Sequence, residues 1–211
     1  ASNGRSVYSF CMCPGGTVVA AASEPERVVT NGMSQYSRNE RNANAGIVVD
    51  VTPADFPDTH PLAGIAFQRR WESRAYELGG KNYSAPAQRV GDFLAGKASA
   101  GAGSVIPSYR PSVQWTDLSS ALPDYAISAI REALPAFDKN IKGFALADAV
   151  LTGVETRTSS PVRITRDPTS LQSLNAKGLF PAGEGAGYAG GILSAGVDGI
   201  RIAEAVALSL L

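Results

Sequence analysis

The stretch from Gly178 to Leu211 constrains the fold of this chain more than any other. Leu179 and Phe180 predict a short apolar strand, and Gly183–Gly191 holds five glycines in nine positions. Ile192–Leu211 is apolar, alanine-rich and free of proline, which predicts a helix. A strand that runs through glycines into a helix N-terminus presents bare backbone N–H groups and the positive end of the helix dipole. Glycine lets a ligand approach the main chain to contact distance. Such a turn is expected to be a site for anions.

Gly185, Gly187 and Gly190 match the dinucleotide fingerprint Gly-x-Gly-x-x-Gly letter for letter. That fingerprint also needs a second strand ending in an acid about 20 residues on, to hold a ribose hydroxyl. Here the glycines are followed by the predicted helix, and Glu204 lies within it. The unit therefore reads as the closing piece of a nucleotide-binding sheet, with Glu184 as the acid at the end of its last strand. A dehydrogenase using nicotinamide alone would need the missing strand and acid. No Gly-Lys-Ser or Gly-Lys-Thr follows the glycines, which argues against a P-loop.

The rest of the composition narrows the class. At 44% hydrophobic residues, a chain of 211 residues can bury a core. Nineteen basic and nineteen acidic residues cancel, so there is no electrostatic footprint for nucleic acid or an anionic membrane. No apolar run approaches the roughly 18 residues of a membrane span. The only cysteines, Cys11 and Cys13, do not make a disulfide framework, and a reducing, cytoplasmic setting is expected.

Patterning predicts a hairpin from Val7–Cys11 and Thr17–Ala22 around Pro14-Gly15-Gly16, with Arg27–Thr30 continuing the sheet. Asn31–Ala45 is polar and reads as a loop, and Gly46–Val51 as a strand. His60-Pro61 opens a helix that Gly79-Gly80 closes. Ala87–Leu94 reads as a short helix, and Tyr125–Leu134 as a helix ended by Pro135. Ala147–Val154 and Val162–Thr165 read as strands. The expected architecture is an α+β substrate-type domain over residues 1–146. The closing strand-loop-helix of a Rossmann-like FAD/NAD(P)-binding domain follows over 147–211.

Several blocks occur together in order: Ser9-Phe10-Cys11-Met12-Cys13-Pro14-Gly15-Gly16, Val29-Thr30-Asn31-Gly32-Met33-Ser34, His60-Pro61-Leu62-Ala63-Gly64, Ala85-Pro86-Ala87-Gln88, Gly153–Arg163 and Gly183–Gly191. In these the chain resembles a bacterial family of uncharacterised FAD-dependent dehydrogenases, and Gly178–Gly199 is similar to their C-terminal flavin motif. The resemblance implies FAD as cofactor. Glu184 would bond ribityl or ribose hydroxyls, and Gly183 and Gly185 would lie against the ribityl or pyrophosphate chain. The amides of Gly190, Gly191 and Ile192 would face the pyrimidine edge of the flavin, where reduced flavin carries negative charge. Members of such families bind the ADP half with an early Gly-x-Gly-x-x-Gly. Nothing between Ala1 and Val150 carries one, and the chain begins at alanine. The expectation is a C-terminal portion of a larger flavoprotein, acting on a small organic substrate with NAD(P)H or another electron carrier as partner. Such a portion alone would be inactive and could lack FAD.

The remaining candidates have two readings each. Cys11 and Cys13 are either a redox pair near the flavin or small apolar packing groups. They fit neither a Cys-x-x-Cys motif nor a complete metal site, and no metal is expected. Should one act, Cys13, beside the Pro14-Gly15-Gly16 turn, is the better candidate. His60, the only histidine, is a base or a helix cap. Arg157, with Thr156, Thr158, Ser159, Ser160 and Arg163, either meets a phosphate or reduced flavin or forms a solvated turn. The non-catalytic alternative for the whole chain is a binding module or structural domain of a larger flavoprotein-like protein.

Overall fold

The computed structural model describes all 211 residues. They form two compact units: Ala1–Asp55 with Arg69–Thr156, and Phe56–Gln68 with Arg157–Leu211.

The first unit carries two three-stranded sheets. In one, β1 (Val7–Ala20) lies between β2 (Thr30–Ser34) and β3 (Asn42–Val49), both antiparallel to it. In the other, β4 (Ala85–Arg89) lies between β5 (Val113–Trp115), parallel, and β6 (Val150–Thr152), antiparallel. Thr30 N donates to Val154 O at 2.8 Å and ties the sheets together.

The expected hairpin is instead one continuous strand. Pro14-Gly15-Gly16 do not turn the chain. They fall where β1 slips register against β3, between the pairs Cys13↔Asn44 and Gly16↔Asn42. A bulge leaves residues off the ladder, so it tolerates the proline and the positive φ of Gly15, +52°. Most of β2 and the first half of β3 come from the stretch read as a loop, while Gly46–Val49 belongs to the strand expected over Gly46–Val51. Polar residues suffice there because both segments are for the most part only partly buried, so their polar groups keep access to solvent.

Ala85–Gln88 are buried and form the start of β4, and only Val90–Leu94 is helical (α2). Gln88 is fully buried but satisfied, donating to Lys97 O at 2.6 Å and accepting from Leu118 N at 2.9 Å. The helix α3 (Asp124–Asn140) runs on past Pro135. Leu134 is buried, Phe137 meets Phe144 edge-on at 5.3 Å, and Asp138 accepts from Gly143 N and Ala145 N. These contacts outweigh the roughly 3 kcal/mol cost of an interior proline. Phe93, Leu134, Ile127, Ile130, Leu118 and Tyr109 centre the core.

Helix α1 (Ala63–Leu78) starts and stops where expected. His60 acts as a cap: its Nδ1 accepts from Leu62 N at 3.1 Å and its carbonyl from Ala63 N at 2.9 Å.

The second unit is mostly loop, apart from the start of α1 and the helix α4 (Ile192–Ser209). Neither Val162–Thr165 nor Leu179-Phe180 is a strand. The β pairing near them is one isolated bridge, Arg166↔Ser173. A strand exists only against a partner edge, and within this unit neither segment meets one. The chain reaches the glycines as irregular backbone. No helix is long and apolar enough to cross a membrane.

Candidate functional site

The glycine loop is shaped from beneath by one ion pair. Arg166 meets Asp198 through both guanidinium ends, at 2.9 and 2.6 Å, and both side chains are only 10% exposed. Asp198 also accepts from Gly183 N at 2.8 Å, and Arg166 donates to Pro181 O at 2.7 Å. The Arg166 guanidinium stacks 3.7 Å from the Tyr188 ring centre, and the Tyr188 hydroxyl accepts from Arg166 N. The pair thus grips the loop at 181, 183 and 188. The Arg166 hydrogen bonds, ahead of that from Gly183, hold the Asp198 carboxyl down to a pKa of about 2. Sequence reading missed both residues. The available signal was a single acid in the first two turns of a mainly apolar helix.

The polar cluster lies against this loop. Ser160 Oγ donates to Val162 O at 2.8 Å and lies 3.2 Å from Gly185 O, and Arg163 Nε donates to Gly187 O at 3.0 Å. Ser159 Oγ lies 3.8 Å from where a Cβ on Gly190 would sit. Arg157 begins the same segment and is half-buried. The Thr158 hydroxyl is buried without a hydrogen-bond partner.

The glycines divide into two kinds. Gly187 is required by the protein: its φ is +81° and a Cβ would stand 2.6 Å from Val162 O. Gly183 also needs its positive φ, +66°. Gly185, Gly190 and Gly191 have ordinary backbone angles, and a Cβ on any of them would meet nothing closer than 3.8 Å. Chain packing gives no reason for glycine at these three positions, whereas close approach of a ligand does.

Gly191 caps α4 in extended backbone without a side-chain cap. The amides of Ile192, Leu193 and Ser194 have no acceptor within the chain, and the first internal bond is Ala195 N to Gly191 O at 2.9 Å. Glu184 is half-buried; its carbonyl accepts from Gly187 N at 2.9 Å, while its carboxylate forms no hydrogen bond or ion pair. An uncommitted carboxylate, open glycines, free helix amides and an orphaned hydroxyl make a donor-acceptor set that fits a polar, anionic cofactor such as a flavin dinucleotide.

Cys11 and Cys13 lie in the first unit, on β1. Cys11 is exposed, Cys13 is half-buried, and neither is in a disulfide.

The sequence matches the family "FAD-dependent protein, C-terminal domain-like" over residues 1–158, and the chain belongs to that family. The match contains Cys11, Cys13 and Arg157 and ends before the glycine loop. An "Uncharacterized protein" of Clostridium beijerinckii (strain ATCC 51743 / NCIMB 8052) is 57% identical over 200 residues. The alignment covers 95% of this chain but 37% of that relative, so the chain spans little more than a third of its length.

Proposed function

We propose that this chain is the C-terminal portion of a FAD-dependent oxidoreductase, a dehydrogenase acting on a small organic substrate. The observation that carries the reading is the glycine loop. Three of its glycines have no role within the chain, and it runs into an uncapped helix beside the unpaired Glu184 carboxylate. Membership of a FAD-dependent family supports it.

In this reading Glu184 accepts hydrogen bonds from ribityl or ribose hydroxyls, and Gly183 and Gly185 let the cofactor chain lie on the backbone. The amides of Gly190, Gly191 and Ile192 face the pyrimidine edge of the flavin. There the helix dipole favours negative charge, an electrostatic contribution of about 0.3–1 kcal/mol. Arg157 serves a phosphate or the reduced ring, and the Thr158 hydroxyl gains the partner it lacks. FAD, when bound, supplies the hydride chemistry, and NAD(P)H or another carrier exchanges electrons with it.

A larger protein is consistent with α4. Its buried positions, Asp198 and Ile202, face the chain, while Ile192, Leu193 and Ile200 stand in solvent. The further length found in the relative is where cover for them would come from.

The test is spectroscopic. The longer polypeptide, purified, should show a flavin spectrum that bleaches with reductant. A colourless protein that takes up no FAD would overturn the enzyme reading and favour a non-catalytic module.

A further inference from the structure

The β2-β1-β3 sheet of the first unit holds a site that the flavin reading does not use. Cys13 and Asn44 are cross-strand partners on β1 and β3, and β1 slips register on both sides of Cys13. The Asn44 Nδ2 and the Cys13 Cβ each lie 3.1 Å from the point where a Cβ on Gly16 would sit, which puts the amide nitrogen within about 6 Å of the Cys13 Cβ on the same face of the sheet. The Asn44 oxygen fills the space where a side chain on Gly32 would be. Both polar atoms of the Asn44 amide are buried, and neither has a hydrogen-bond partner. An unsatisfied buried amide costs about 1–3 kcal/mol, a cost that a partner formed in use would relieve.

The second cysteine is close by. The Cys13 thiol folds back to donate to the Cys11 carbonyl, with its sulfur 3.2 Å from that oxygen. From Phe10 to Cys13 the chain takes three residue steps against two on β3, between Gly46 and Asn44, so it is drawn in along the sheet. Cys11 sits in this bulge at φ +53°, a left-handed conformation unusual for a side chain of this kind, and it is exposed. A contracted backbone is what a bridge between residues two apart requires.

We propose that Cys13 is a nucleophilic thiol that reacts with small disulfides, with the Asn44 carboxamide donating to its thiolate and Cys11 as the resolving thiol. In the first step Cys13 loses its proton and its sulfur attacks one sulfur of the small disulfide. The Cys13–sulfur bond forms, the original S–S bond breaks, and the departing thiolate takes up a proton. Cys11 then loses its proton and attacks the Cys13 sulfur, forming the Cys11–Cys13 bond and releasing the second small thiol. The protein is oxidised by two electrons and the small disulfide is reduced by two. This inference does not rest on flavin binding.

The 211-residue protein, reduced and freed of reductant, is incubated with glutathione disulfide and followed by mass spectrometry. The wild type should lose two hydrogens and keep no glutathione. Cys11→Ser should stop with one glutathione on Cys13. Asn44→Ala should slow the first step by on the order of tenfold, the loss of one hydrogen bond to a charged group. Asn44→Asp, which keeps the shape, should slow it further by repulsion. A stable glutathione adduct on the wild type, a wild type that stays reduced, or an undiminished rate in both Asn44 variants would overturn the proposal.

Discussion

The two units treat their apolar residues in opposite ways. The first packs Phe93, Leu134, Ile127, Ile130 and Leu118 into one core and satisfies even a fully buried Gln88. The second is mainly loop, organised around the Arg166–Asp198 pair, while its helix α4 leaves Ile192 88% and Leu193 85% exposed. A core of side chains makes a structure complete in itself. A loop held by one ion pair makes a structure defined at a few points, with backbone free to meet something else. The candidate cofactor residues all belong to the second kind.

The largest effects should follow that division. Phe93→Ala empties the core of the first unit and should cost about 3–5 kcal/mol in chemical denaturation. Asp198→Ala leaves the Arg166 charge buried without its partner, and should cost about 3 kcal/mol. Its signature is faster hydrogen exchange at the Gly183 amide, with core amides of the first unit unchanged. Equal loss in both units would break the comparison.

Acid should separate the units next. The Asp198 carboxyl is depressed from its ordinary value of 3.8 to about 2. A depressed carboxyl contributes stability that is fully present above its unfolded pKa and is lost as pH falls. The loop contact should therefore hold above about pH 4 and weaken between pH 4 and 2, by roughly 2 kcal/mol. Nuclear magnetic resonance of the Gly183 amide against pH measures this, and Asp198→Asn should abolish the transition.

The smallest effects sharpen the distinction between glycines. Gly187→Ala should destabilise by about 1–3 kcal/mol, through its positive φ and its clash with Val162 O. Gly185→Ala should change stability by less than about 0.5 kcal/mol, since nothing lies near the added carbon. Calorimetry distinguishes them.

What was legible in the chain follows the same physics. α1 and α4 were readable because caps, proline, glycine and composition are local signals, and His60 as a cap is one of them. β2 and β4 were not, because Thr30–Ser34 and Ala85–Arg89 become strands only through their neighbours. Pro14 to Gly16 looked like a turn because a bulge and a turn use the same residues. The helix past Pro135 is held by Phe144 and Asp138, and such contacts are invisible to a local reading. At the candidate site, the glycines and Glu184 announce themselves by type. Arg166 and Asp198, 32 positions apart, become a pair only on folding. Asn44 looked like part of a polar loop until the sheet placed it beside Cys13.

The account stands or falls on Glu184 and the amides that lead into α4. Titration of FAD into the longer polypeptide, wild type against Glu184→Ala, tests it directly. Loss of a charged hydrogen bond, about 1.5–3 kcal/mol, predicts an affinity about 10- to 150-fold weaker with stability unchanged. Equal affinity in the two proteins would contradict it.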